Sequence, residues 1–532
     1  MHPERGSETG ATTHPVTAAE PTAEAAVAAA TVTPTRLGRR RAVAVGLVSL
    51  LAALAAGHLV AGFVGPAASP FLAVGNWVRD LSPHPVTEWA KETFGTADKL
   101  VLFAGVALVV LACAAGAGVL ARTRPAPGLL VVAALGVVGF VAVLGRPDLG
   151  QLGIAAPAAS LLTGATVFSL LHRRAVPLAA DRGRRDFLRL SAGVVAGAGA
   201  LGGLGQVLAS RVDVEGSRRA VGRLRVAEPA PPVPPGADFP GTASFITANR
   251  DFYRIDTALT VPRVTAEEWR LRVHGLVDRE LELDYAQVRA RDLVERPITM
   301  ACVSNEVGGS LVSTATFIGI PLRDVLTEAG VRPGADQLLS TSVDGFTAGS
   351  PVDAVLDPER GALLAIGMNG EPLPVEHGFP ARLVVPGLYG YVSATKWVTD
   401  LELTTFAAKQ GYWMPRGWSA RGPVKTQSRI DTPRDGATTG TRVTVAGVAW
   451  APAIGIRRVE VGVDGVWHEA ELAVEVDRNT WRMWRVALDL SAGEHRIAVR
   501  ATDRSGVTQT DRLAAPAPDG ATGWHTVTVT AR

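Results

Sequence analysis

The sequence predicts a multi-domain fold in three parts: a helical transmembrane bundle, an α+β domain and a β-sandwich. Three observations carry this. Apolar runs long enough to cross a bilayer crowd the first 210 residues. Short strand-like and helical runs alternate from Phe245 to about Thr405. After about Val424 a strict two-residue alternation takes over. Length agrees, since 532 residues exceed one ordinary domain. Apolar residues make up 47% and mean hydropathy is +0.20, which is high for a soluble chain and points to membrane spans. A formal net charge of only +3 gives no reason to expect a nucleic-acid partner; the placement of the basic residues says more than their total.

Residues 1–35, rich in Ala, Thr, Pro and Glu without an apolar period, read as a disordered tail. Four apolar runs follow: Ala42–Gly65, Leu100–Ala121, Gly128–Leu144 and Gln151–Leu171. Each is long enough, or nearly so, for a hydrocarbon core of about 30 Å at about 1.5 Å per helical residue. Arginines orient them. Arg36 and Arg39 to Arg41 precede the first run, Arg122 and Arg124 follow the second, and Arg173, Arg174, Arg182, Arg184 and Arg185 follow the fourth. The intervening loops are poorer in Arg and carry Asp80, Glu88, Glu92, Asp98 and Asp148. This predicts a multi-pass protein of the cell membrane with a cytoplasmic N-terminus.

A fifth segment opens Arg184-Arg185-Asp186-Phe187-Leu188 and runs, apolar and Gly/Ala-rich, to Leu208. It reads either as an internal twin-arginine-type export signal or as an ordinary positive-inside flank. Retained as a span over 186–209, it places everything after Arg211 outside the cytoplasm. Residues 36–210 are thus the membrane domain. Residues 211–241, proline-rich from Ala227 on, read as a semi-rigid linker that holds the next domain off the membrane.

Residues 242–423 form the α+β domain, with strand-like runs at Trp269–Val273, Arg382–Val385 and Trp397–Leu403 and a helical run at Pro321–Ala329. Residues 424–532 show period-2 faces: Val443 and Val445; Val459, Val461 and Val463; Ile497, Val499 and Ala501; Val527 and Val529. Asp464-Gly465 is a hairpin signal. Short strands at regular spacing argue an immunoglobulin-like sandwich.

The chemistry centres on Cys302. The chain has two cysteines; Cys113 lies in an apolar run, and no partner is placed to bridge Cys302 within its own domain. On residue type the thiol is structural filler, a nucleophile or a metal ligand. Its surroundings favour a ligand site. Asn305 and Gly308-Gly309 follow it. Ser342 to Phe346, Met368-Asn369-Gly370, His377-Gly378-Phe379-Pro380-Ala381-Arg382 and Lys396-Trp397 come next. A thiol, many turn glycines and spaced Asn, Asp, His, Arg and Lys suit a large polar cofactor that needs close backbone approach and donors for a phosphate.

These motifs, in this order, resemble the molybdopterin-binding domain of the sulfite oxidase superfamily. The likeness rests on Cys302-x-x-Asn305, on Phe317 to Leu322 opening a helix, and on Met368-Asn369-Gly370 through His377 and Arg382 to Lys396-Trp397. Val445 to Trp450, Val459 to Val461, Trp481 to Trp484 and Arg500 to Asp503 are similar to that family's C-terminal dimerisation domain. The likeness covers roughly residues 242–530. It implies an α+β sulfite-oxidase-type domain holding a molybdenum–molybdopterin cofactor (Moco), with Cys302 as the metal's thiolate. A soft thiolate suits a metal that already carries sulfur ligands. By position, His377 and Arg382 face the pterin phosphate, Lys396 the pterin edge, Asn305 the turn behind the metal, and Asp344 a further cofactor contact. Arg254 matches an arginine that faces an oxyanion.

The chain also departs from the family pattern. Glu306 stands where an arginine is usual, Tyr391 to Thr395 lack another, and Phe346-Thr347 replace an expected tyrosine. A pocket short of arginines binds a small dianion poorly, which counts against sulfite and leaves the identity of the small-molecule substrate open. The expected activity is oxo transfer with two-electron chemistry outside the cytoplasm, coupled to a quinone or a cytochrome. Alternatives are a sulfoxide-type reductase driven by membrane quinol, and a non-catalytic surface module on the same fold. His58 lies within the first run and His172 at the opposite, cytoplasmic edge of the fourth, so the spans read as an anchor rather than a haem carrier. A homodimer through the C-terminal domain is the expected assembly.

Overall fold

A computed structural model describes residues 36–83, 86, 89–90, 93–94, 97–146, 149–176 and 182–532. The tail expected over 1–35 lies outside these residues, as do Glu88, Glu92 and Asp148 of the loop-charge argument. Helices are α1 (Arg39–Val64), α2 (Pro70–Leu81), α3 (Asp98–Leu120), α4 (Ala126–Leu144), α5 (Ala155–Ala175) and α6 (Arg182–Ala209). All but α2 are long and apolar enough to cross a membrane. Small residues line the buried stripe of α1, among them Ala42, Gly46, Ser49 and Ala52, so neighbouring helices approach closely. Large apolar side chains such as Leu108, Val109, Leu120 and Leu130 point outward instead. Arg184 and Arg185 fall in the first turn of α6. His172 Nε2 is held by the Ala121 carbonyl at 2.7 Å.

The segment expected to be a linker is part of the fold. Helix α7 (Val214–Val221) buries Val214 and Val221 in the core of the following region. Strand β1 (Val226–Glu228) pairs in parallel with β4 (Leu293–Ala301). The proline run therefore packs along the domain, because apolar residues ahead of it find a core and its backbone finds a sheet edge. The domain is not held off the helices either. Lys99 of α3 meets Asp256, and Asp80 of α2 accepts from Tyr412.

Two sheets build the central region. The first runs β1-β4-β5-β8-β10, with β5 (Val312–Pro321), β8 (Leu363–Met368), β10 (Arg382–Val384) and the short β9 (Glu371–Pro372) on β8. The second runs β3-β2-β11-β6-β7, with β2 (Arg270–Gly275), β3 (Leu281–Asp284), β6 (Gln337–Ser342), β7 (Thr347–Pro351) and β11 (Val398–Thr404). Helix α8 (Leu322–Ala329) starts where the Ile320-Pro321-Leu322 motif ends a strand, and its apolar face joins the core around Phe317 and Leu401.

The C-terminal residues form two further sheets. One holds β12 (Gln427–Thr432), β14 (Arg442–Trp450), β18 (Arg482–Asp489) and β17 (Glu471–Leu472). The other holds β13 (Ala437–Thr439), β20 (His525–Ala531), β19 (Gly493–Asp503), β15 (Ile456–Val463) and β16 (Val466–Glu469). Val445, Val461, Trp484, Val499 and Val529 share one core between them. Asp464 and Gly465 both take positive φ, 49° and 91°, in the two-residue turn that joins β15 to β16.

Candidate functional site

The central strands deliver their ends to one place. β4 hands the chain to Cys302, β10 begins at Arg382, and β6 ends at Ser342 just before Asp344. Ser342 pairs with Val398, so the register brings Asp344 and Lys396 to the same end of the second sheet. A cavity of about 410 Å³ opens there, with Cys302, Ser342, Asp344, Arg382, Gly390 and Lys396 on its wall.

The thiol sits on a braced turn. Cys302 is buried and forms no disulfide. Its N–H donates to the Leu311 carbonyl at 2.9 Å, and the Asn305 N–H donates to the Cys302 carbonyl at 3.1 Å. Asn305 Oδ1 accepts from the Leu311 N–H at 2.8 Å, so this side chain ties the two ends of the loop together. Gly308 turns the loop at φ 77°, and a β-carbon there would stand 2.2 Å from the His525 ring. Arg429 donates to the Gly309 carbonyl at 2.9 Å.

Arg382 is 3% exposed. It donates to the His377 carbonyl at 3.1 Å and lies 5.7 Å from the centre of the Phe317 ring. Among the described residues no carboxylate reaches it. Burial lowers its pKa to about 10, which still leaves it charged at neutral pH. A buried cation without a counter-charge is costly unless an anionic group shares the site. Lys396 is pushed down to about 8 by burial, against the pull of Asp256 at 3.3 Å. Burial opposes ionisation of Asp256, but Lys396, Lys99 and Arg254 together hold its carboxyl below the usual range. Three cations on one carboxylate leave the polar end of the cavity positive. Gly378, at φ 112°, fits between Arg382 and Lys396; a β-carbon there would stand 3.1 Å from each.

The residues expected from sequence divide into two groups. Cys302, Asp344, Arg382 and Lys396 come together on the wall. Asn305 and His377 stand behind it. His377 Nε2 donates to the Asn249 carbonyl at 3.0 Å, and burial, with Arg382 beside it, lowers its pKa to about 4. The neutral ring leaves Nδ1 buried without a partner. Arg254 is directed onto Asp256 at 3.1 Å and is not a wall residue. Asp344 accepts from the Phe346 N–H at 3.3 Å in a hairpin turn.

Several wall residues were not legible in the sequence. Tyr253 is one: burial, then Cys302, push its phenol far above the ordinary range, while Arg382 acts in the opposite sense. Its only signal was its place beside Arg254. Asp256 is another, and so are Arg79, Trp89, Phe94 and Lys99 from the helical region. Nothing in their own stretch of sequence points to a site more than 150 residues away.

One soft donor, a positive pocket, the unpartnered Ser342 Oγ on its wall and the unpartnered His377 Nδ1 behind it suit an anionic, metal-bearing group. Comparison with known proteins agrees. Residues 258–413 match the family described as oxidoreductase molybdopterin binding domain. The mitochondrial sulfite oxidase of Macaca fascicularis is 30% identical over 328 residues, 51% of this chain and 59% of its own. The sulfite oxidase of Gallus gallus is 30% identical over 322 residues, 51% of this chain and 69% of its own. Nitrate reductase (NADH) 1 of Oryza sativa subsp. japonica is 30% identical over 319 residues, 48% of this chain and 35% of its own. The match therefore spans less than two thirds of the mitochondrial relative. With the thiol loop, the positive cavity and these matches together, the chain belongs to the sulfite oxidase superfamily of molybdopterin-dependent oxidoreductases.

Proposed function

We propose that this protein is a membrane-anchored molybdenum oxidoreductase acting on a small substrate outside the cytoplasm. The observation that carries the reading is the meeting of Cys302, Arg382 and Lys396 on one cavity wall. When bound, the cofactor supplies oxo exchange and two-electron storage. Cys302 holds the metal as a thiolate. Arg382 answers the phosphate with its planar fork, and Lys396 meets the pterin edge. His377 and Asn305 support these groups from behind, and Asp344 contacts the cofactor from the hairpin turn. Arg254 acts through Asp256 at the rim.

Residues 36–210 form the membrane domain, 242–423 the catalytic domain and 424–532 an immunoglobulin-like domain suited to homodimer formation. Five helices of sufficient length and outward-facing leucines support the anchor. Arginine placement supports a cytoplasmic N-terminus and a catalytic domain on the other side.

The test is elemental molybdenum with released pterin, on wild type beside Cys302→Ala. The expected result is near-stoichiometric metal and pterin in wild type, with the metal lost in the variant. Wild-type protein without either, from a pterin-competent host, overturns the reading. Protease treatment of spheroplasts tests orientation: complete shielding of 242–532 until lysis would sink it.

A further inference from the structure

The cavity has a second half that the cofactor chemistry does not use. Besides Arg382 and Lys396, the wall carries apolar groups from the helical region: Val86, Trp89, Phe94, Val101 and Leu102. Trp89 and Phe94 meet edge to face at 5.6 Å. Val101 and Leu102 belong to the first turns of α3, a helix long and apolar enough to cross a membrane. The rim there is open and greasy: Trp89 is 58% exposed, Leu100 73% and Val101 39%. In the membrane-anchored reading above, exposed aromatic and aliphatic groups at the end of such a helix belong at bilayer-interface depth.

Arg79 and Arg416 also line the wall. Arg79 donates to Asp80 and to the Thr257 carbonyl, and Arg416 to the Tyr412 and Asp80 carbonyls. A guanidinium has five N–H groups, so each arginine keeps donors for a further acceptor. A ligand that fits this wall has an apolar tail toward the bilayer and carbonyl oxygens toward the arginines.

We propose that this half-cavity binds a membrane-dissolved quinone, which enters sideways from the bilayer and exchanges electrons directly with the cofactor pocket. The inference rests on the oxidoreductase reading above and names its electron partner. In the oxidative direction the substrate gains one oxygen atom from water. Two electrons and two protons leave, and they convert the two C=O groups of the quinone into the C–OH groups of the hydroquinone. In the reductive direction the same balance runs backward. Because substrate and quinone share one cavity, they occupy it in turn.

The experiment uses the full chain in detergent, with an azido-quinone bearing a short isoprenoid tail, photolysed and mapped by peptide mass spectrometry. Label is expected on residues 86–102 or 255–259 and is displaced by excess unlabelled quinone. Leu102→Trp fills the apolar half and Trp89→Ala truncates a rim residue that is 58% exposed; each is expected to lower specific label about tenfold. Label confined to the outer faces of α4 and α5, or undiminished in both variants, overturns the site. Molybdenum and pterin are counted in the same preparation. No label with both present overturns the quinone site alone; absence of both overturns the oxidoreductase reading as well.

Discussion

Two regions flank the catalytic core, and they meet it differently. The helical region touches it from the front: Arg79, Trp89, Phe94, Lys99 and Leu102 are cavity wall. The C-terminal sheets touch it from behind: among the described residues none after Trp418 lines the cavity. What they reach is the back of the thiol loop. Arg429 donates to Gly309, the His525 ring closes on Gly308, and the Trp481 N–H donates to Thr299 Oγ1 at 2.7 Å. Trp450, Trp481 and Met483 share an apolar cluster with Val303. The Trp481–Thr299 bond at the rear is buried and the Arg429–Gly309 bond part-buried, and the front bonds to Asp80 and Asp256 are part-buried. The C-terminal sheets thus brace the loop that carries Cys302, while the helical region supplies wall that faces the cavity.

If that division holds, rear substitutions change stability and metal content, and front ones change kinetics. The largest effect is expected from Gly308→Val. A β-branched residue at φ 77° is strained, and its side chain drives into the His525 ring. A loss of about 4 kcal/mol is expected, read as a fall in thermal midpoint with metal loss; a variant as stable as wild type would remove the bracing argument.

Next comes an acid effect from the deep wall, independent of either flank. The His377 pKa of about 4 in the folded chain lies below its ordinary value. Between about pH 6.5 and pH 4 the unfolded chain therefore takes up a proton that the folded one refuses. Stability falls as pH drops through this window, by up to about 3 kcal/mol. Urea midpoints across this range should show it, and His377→Gln should flatten it.

Arg429→Ala removes the bond to Gly309 and the 2.6 Å pair with Asp431. A cost of about 2 kcal/mol is expected, again by thermal midpoint. The smallest stability effect belongs to the front. Tyr412→Phe deletes one half-buried bond to Asp80 and should cost under about 1 kcal/mol. Its signature is instead a change of KM without a matching fall in midpoint. A front variant that unfolds the protein, or a rear one that alters only KM, would invert the comparison.

Part of this is legible in the sequence. Period-2 valines gave β14, β15, β19 and β20, and Asp464-Gly465 gave the β15–β16 turn, because alternation and turn chemistry are local properties. The apolar runs located the five long helices to within a few residues at most ends. Cys302, Arg382 and Lys396 were found by motif order. Two things were not visible. Residues 211–241 looked like a linker because proline masks the fact that Val214, Val221 and Val226 have a core and a strand to join. The other is the pairing of Arg254, expected from the resemblance to face an oxyanion, with Asp256 two residues on.

Periods along the chain carry the long apolar helices and the C-terminal strands, and motif order carries the thiol and the family, because these are local properties of the sequence. Tertiary structure alone brings α2 and the first turns of α3 onto the cavity wall and buries Arg382 without a carboxylate partner among the described residues. Those facts arise from surfaces brought together across more than 150 residues, where burial and charge belong to the assembled site and to no single stretch of it.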